Sequence, residues 1–294
     1  MAWKRHKLHA IKEAEADLRT SQIYFEIKEA LGTPHVNTMF QVLASFPEYF
    51  SRFWERARPV VEMQEFFSTA GRLRAEAYTR MHNYFAVPDL RRRTQELSFS
   101  AGAVDELQQV VDLYYANYPA LLLLCAAQAQ AFENPETTVP RESRPAEHDW
   151  SSVSRVQRPI QVEEESAPPA TRRVYDDIKR TMGTPFLGTC YLSLGRWPEF
   201  LEEYWTALKP VVATARFEQN CAALRESALA LAAELPHTLQ LSMTELEEAG
   251  IGRDDVSTIV QSVGSFLELL SKQTLNLAFA KIGLEGGVRP AVAA

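Results

Sequence analysis

Residues 24–61, YFEIKEALGTPHVNTMFQVLASFPEYFSRFWERARPVV, return as residues 175–212, YDDIKRTMGTPFLGTCYLSLGRWPEFLEEYWTALKPVV, at a constant offset of 151 and without a gap. Fourteen of the thirty-eight aligned positions are identical, among them Gly32/Gly183, Pro34/Pro185, Pro47/Pro198, Trp54/Trp205 and Pro59/Pro210. Prolines, a glycine and a tryptophan held in one register point to a tandem duplication rather than to shared composition. The stretch also reads as helix. Ile23, Ile27 and Leu31 recur at i, i+4 and i+8, which predicts a first helix over residues 7–31 with Gly32 as its stop. Thr33-Pro34 then reads as a fresh N-cap and first-turn proline, so the next helix is expected to begin at once. Pro47 opens a third helix carrying Tyr49, Phe50, Phe53 and Trp54, expected to end near Pro59.

Outward from this stretch, residues 61–84 and 103–132 continue the helical period, the latter through the Leu121 to Leu124 block. Residues 134–170 differ. They carry Pro135, Pro140, Pro145, Pro159, Pro168 and Pro169 among Glu, Ser, Arg and Thr, and read as a linker. Helices are then expected to end at Met182, to start at Thr184-Pro185 and Pro198, and to cover residues 217–235 and 254–284. Strand signals are nearly absent. The fold class that follows is all-α: two copies of a roughly five-helix repeat forming an intrachain pseudo-dimer, with repeat one in residues 1–133, the linker in 134–170 and repeat two in 171–294. A pocket near the pseudo-twofold axis is the natural ligand site.

Charge and composition remove several function classes. A net charge of -7 argues against binding a phosphate backbone, and the one basic cluster, Arg91-Arg92-Arg93 after Pro88-Asp89, fits a solvated helix face. The apolar run around Ala120 to Ala127 is short for a bilayer and reads as a buried helix, so no membrane partner is expected. The charged start lacks the apolar core of a signal peptide, and a cytoplasmic protein is the expectation. Cys125, Cys190 and Cys221 are odd in number and lie outside CxxC spacing, so neither disulfides nor a zinc site is implied. Pairing with a second copy of the chain, as a homodimer, is left open.

The duplicated pattern, Tyr-x-x-Ile-Lys, then Gly-Thr-Pro, then Leu followed by Phe46-Pro47 or Trp197-Pro198, resembles the group I 2-haloacid dehalogenases, the DehI family, over about residues 21–284. The resemblance implies an all-α pseudo-dimer, distantly similar to the AhpD-like group, with its pocket between the repeats. It also implies hydrolysis of a small 2-halocarboxylate without cofactor, an aspartate activating the water and an asparagine positioning it. The asparagine segment, Asn-x-x-x-Leu-Leu-Leu, is matched by Asn117 through Leu123. The aspartate's column falls on Cys190 when anchored on Trp197-Pro198 and on Gly188 when anchored on Pro185, and neither is a carboxylate. The family's pocket tryptophan and phenylalanine stand here as His35 and Thr38.

Candidate catalytic residues are therefore Asn117, Cys190 and His35, with Thr38, Thr189 and Tyr191 as pocket. Each also has a plainer reading. Asn117 could bond a neighbour within its helix, His35 could sit in a helix's first turn, and Cys190 could be a small core residue. As functional groups, His35 would be a base or a carboxylate partner and Cys190 a thiolate that displaces halide. The competing function is a pseudo-dimeric binding or structural protein that kept the fold and lost the base.

Overall fold

The computed structural model describes residues 8–133 and 158–287. The part of the linker expectation that covers residues 134–157 lies outside the described residues. Among them the chain forms twelve helices and no extended strand. In the first half these are α1 (Leu18–Leu31), α2 (Thr38–Leu43), α3 (Pro47–Val61), α4 (Gln64–Tyr84), α5 (Leu90–Glu96) and α6 (Ala101–Glu133). In the second they are α7 (Pro169–Met182), α8 (Thr189–Leu194), α9 (Pro198–Val212), α10 (Ala215–Ala233), α11 (Met243–Glu248) and α12 (Arg253–Leu284). The first four helices of each half begin 151 residues apart, Leu18 to Pro169 through Gln64 to Ala215. Each half holds six helices rather than five, because α5 and α11 are too short to show a period.

The same bonds hold both halves. Gly32 and Gly183 end α1 and α7 in the left-handed region, at φ 58° and 69°. A side chain there would crowd the following carbonyl, which is why this corner takes glycine. The N–H of Thr33 returns to Lys28 O at 3.1 Å and that of Thr184 to Lys179 O at 3.0 Å. The Tyr24 hydroxyl donates to Ile11 O at 2.8 Å, and that of Tyr175 to Val162 O at 3.0 Å. Trp54 Nε1 donates to Glu26 at 2.9 Å, and Trp205 Nε1 to Asp177 at 2.8 Å. These two carboxylates serve the framework.

Several boundaries differ from the sequence reading. α1 starts at Leu18, not near residue 7, because the Asp17 side chain caps it by accepting from Thr20 N–H at 2.7 Å. Residues 8–17 form a strap instead, pinned where Ile11 N–H meets Gln41 O at 2.9 Å. Residues 158–168 do the same before α7, with Val162 N–H on Leu192 O at 2.9 Å. The corner after α1 does not pass straight into helix. α2 begins only at Thr38, capped by Asn37, whose side chain accepts from Met39 N–H at 2.9 Å. Likewise α8 begins at Thr189, after Gly188. Pro59 lies inside α3, which runs on to Val61.

The two longest helices, α6 and α12, pack against each other more extensively than any other pair, and α6 also meets α10 while α12 meets α4. The halves therefore interlock through one core. Among the described residues α6 is long and apolar enough to cross a membrane, and 83% of its apolar window is buried inside the protein. Leu122, Leu123 and Leu124 are fully buried there. Each fully buried leucine contributes about 1.5–3 kcal/mol, so this seam contributes several kcal/mol to the junction.

Candidate functional site

A cavity of about 350 Å³ opens where the halves meet. Its walls are the two straps, residues 10–14 and 161–165, and its floor includes Thr38 and Leu187 from the two equivalent corners. Charged groups tie the straps across the axis. Lys12 Nζ lies 2.9 Å from Glu163 and 3.2 Å from Glu165, and Arg158 bonds Glu13 at 3.3 Å. Such half-exposed pairs contribute at most about 1 kcal/mol each.

His35 belongs to this tie. Its Nε2 is 2.6 Å from Pro159 O, and its Nδ1 is 3.3 Å from Arg158 Nε. A guanidinium can only donate, so Nδ1 accepts and Nε2 carries the proton given to the carbonyl. Burial lowers the imidazole's pKa, and the Arg158 charge adds to that, so His35 is neutral with both nitrogens engaged. As placed, it has no lone pair free to take a proton from water.

Beneath the straps a buried polar cluster joins α2, α6, α8 and α12. Thr38 Oγ1 donates to Leu187 O at 3.0 Å, and Asn37 Nδ2 to Thr189 Oγ1 at 3.3 Å. The Tyr118 hydroxyl lies 3.3 Å from Thr189 Oγ1 and accepts from Cys190 N–H at 3.4 Å. Tyr114 and Ser193 share a hydrogen bond at 2.7 Å, and Asn276 Nδ2 donates to Tyr191 Oη at 2.8 Å. The structure thus brings Thr38, Thr189 and Cys190 together. Tyr191 is turned toward Asn276.

Asn117 is buried on α6, where its Nδ2 donates to Leu113 O of its own helix at 3.2 Å. It is the next residue, Tyr118, that reaches α8. Cys190 is 2% exposed, and burial pushes its thiol up to about 12. At neutral pH it is a thiol, which does not serve as the thiolate considered above. Cys190 and Gly188 present no carboxylate, and among the described residues no carboxylate bonds Asn37, Tyr118, Thr189 or Cys190. Nor do those residues include three or more His, Cys, Asp or Glu placed to hold a metal ion.

Sequence reasoning missed Tyr118, Asn37 and Gln273. The first two stood beside residues already singled out. For Gln273 the signal was a polar Lys-Gln-Thr triplet, residues 272–274, inside an otherwise apolar helix. A β-carbon built on Gly188 would come within 2.5 Å of Gln273 Nε2 and 3.2 Å of Tyr118 Oη, so both groups already crowd that position.

The family model described as halocarboxylic acid dehydrogenase DehI matches residues 34–191, from the first corner into the start of α8 and so across both sides of the cavity. The chain belongs to this family. It is 26% identical over 276 residues to an (R)-2-haloacid dehalogenase of Pseudomonas putida, covering 93% of this chain and 92% of that protein. It is 24% identical over 247 residues to an (R)-2-haloacid dehalogenase of Rhizobium sp. (strain NHG3), covering 84% and 95%. In fold it is similar to a D-2-haloacid dehalogenase mutant solved with D-2-CPA, at TM-score 0.88 and 24% identity over 95% of this chain and 97% of that one. A D-2-haloacid dehalogenase solved with L-LA gives TM-score 0.85 and 25% identity at the same coverage. The DehI-family chain is all-α, as the repeat implied.

Proposed function

We propose that this DehI-family chain is a 2-haloacid dehalogenase-like protein that binds a small 2-substituted carboxylate between its halves and displaces halide with water. The observation that carries this reading is the match to an (R)-2-haloacid dehalogenase over 93% of the chain, with a cavity at the junction of the matched segments. In the reaction a water oxygen bonds C2, the carbon–halogen bond breaks with its electron pair leaving on halide, and the water's proton passes to an acceptor. Thr38 in the cavity wall, with Thr189, Cys190 and Tyr118 in the buried cluster beneath the straps, supplies neutral hydrogen-bonding groups, and Asn117 is the proposed positioner of the water. A neutral hydroxyl or thiol is a weak proton acceptor, so turnover is expected to be slower than with a carboxylate base by on the order of 10²- to 10⁴-fold.

The test is halide release from (R)- and (S)-2-chloropropionate and 2-bromopropionate, run beside calorimetric titration with the same acids. Binding with halide release supports the proposal. Binding without release leaves the non-catalytic ligand-binding alternative, and no binding overturns both the substrate class and the site.

A further inference from the structure

Gln273 stands in the middle of α12 and is 4% exposed, yet no hydrogen bond joins its side chain to any described residue. An amide with no internal partner is free to bond a ligand or water that reaches it. Its Nε2 is aimed at Gly188, the glycine that directly precedes α8, and Leu187, immediately before, lines the cavity. Tyr118 Oη approaches the same point. The equivalent position in the first half is closed differently. There Asn37 fills the place of Gly188 and spends its side chain on capping α2 and on Thr189. Leu122 occupies the register of Gln273. Among the described residues, the first half thus has no counterpart of this amide at the junction.

Resting on the reading that a small carboxylate binds there, we propose that Gln273 is a specificity residue whose amide donates to the ligand's carboxylate, admitted beside the backbone because position 188 is glycine. A neutral amide suits this task. It gives a directional bond to the anion without burying a charge that would otherwise need a counterion. The Tyr118 phenol of the first half, held protonated by burial and bonded to Thr189, borders the same point. The asymmetry also orients a ligand with one charged end, its carboxylate toward the second half.

The test compares 2-chloropropionate with uncharged 2-chloropropionamide by calorimetric titration on the full chain, in the wild type and in Gln273→Met and Gln273→Glu, with circular dichroism confirming the fold. Expected is tenfold or greater weakening for the carboxylate in both variants, and at most a twofold change for the amide in Gln273→Glu. Gln273→Met keeps the side chain's length and carries the test should the buried glutamate not fold. Equal weakening for both ligands would make Gln273 a packing residue and overturn the proposal, as would unchanged carboxylate binding. If the wild type itself binds no carboxylate, the proposed function fails first and takes this inference with it.

Discussion

The corner after α1 and the corner after α7 share their framework and differ in what they turn toward each other. Gly32 and Gly183, Tyr24 and Tyr175, and Trp54 and Trp205 make matching turns and bonds within their own halves. At the junction the register pairs His35 with Phe186, Asn37 with Gly188 and Met39 with Cys190. These residues, whose partners lie inside one half, keep their roles, whereas at the junction only Thr38 and Thr189 of this group are alike and His35, Asn37 and Met39 differ from their counterparts. A ligand with one carboxylate and one leaving group has no twofold symmetry. A site on a pseudo-twofold axis can bind it in one orientation only if the two halves present different groups.

Several substitutions would break or sharpen this comparison. The largest expected effect is at the diverged pair Met39 and Cys190. Cys190→Asp places a carboxylate in the column the aspartate takes when the family pattern is anchored on Trp197-Pro198, and should raise halide release on the order of 10²- to 10⁴-fold. Met39→Asp, buried at the equivalent place, should give no gain and lose several kcal/mol in urea unfolding through an unpaired buried charge. Next, Asn117→Ala should lower halide release on the order of 10²-fold with the melting temperature nearly unchanged. Glu268, its register partner, pairs with Lys272 at 3.2 Å, and Glu268→Ala should leave the rate as it was.

The framework predicts equality instead. Gly32→Val and Gly183→Val should each destabilise by on the order of 1 kcal/mol or more, since both glycines hold left-handed caps. A neutral result at either in urea unfolding would dissolve the matched corners. The smallest effect concerns pH. Burial, helped by Arg158, sets the His35 pKa in the folded chain below its unfolded value near 6.5. Its contribution is therefore present above that value and is lost as pH falls through the window down to the folded pKa. His35→Phe, copying Phe186, should cost about 1 kcal/mol at neutral pH through the lost Pro159 bond. It should also flatten the decline in urea midpoint between neutral pH and pH 5.

What was legible in the sequence was whatever local geometry decides. Gly32 and Gly183 stop helices because only glycine sits easily at positive φ, and Pro47 and Pro198 start helices because proline's fixed φ suits a first turn. The strap of residues 8–17 was misread because Lys12, Glu13 and Ala14 favour helix in isolation. In the folded chain Lys12 and Glu13 are instead committed to Glu163 and Lys28, partners that no local pattern reveals. The same division runs through the site. Thr38 and Thr189 were found because they lie in the duplicated corner. Gln273 and Tyr118 reach it only through the packing of α12 and α6 around α8, contacts spanning more than seventy residues of sequence in the case of Tyr118 and Cys190. The tie between His35, Arg158 and Pro159 was hidden for the same reason.

The most direct test is a crystal of the full chain soaked in 2-bromopropionate, read by the anomalous signal of bromine. The account predicts one bromine at the junction of the halves, within van der Waals reach of Thr38, Thr189 or Cys190, with the carboxylate turned toward Gln273. Bromine bound elsewhere, or an empty junction at saturating acid, would contradict it.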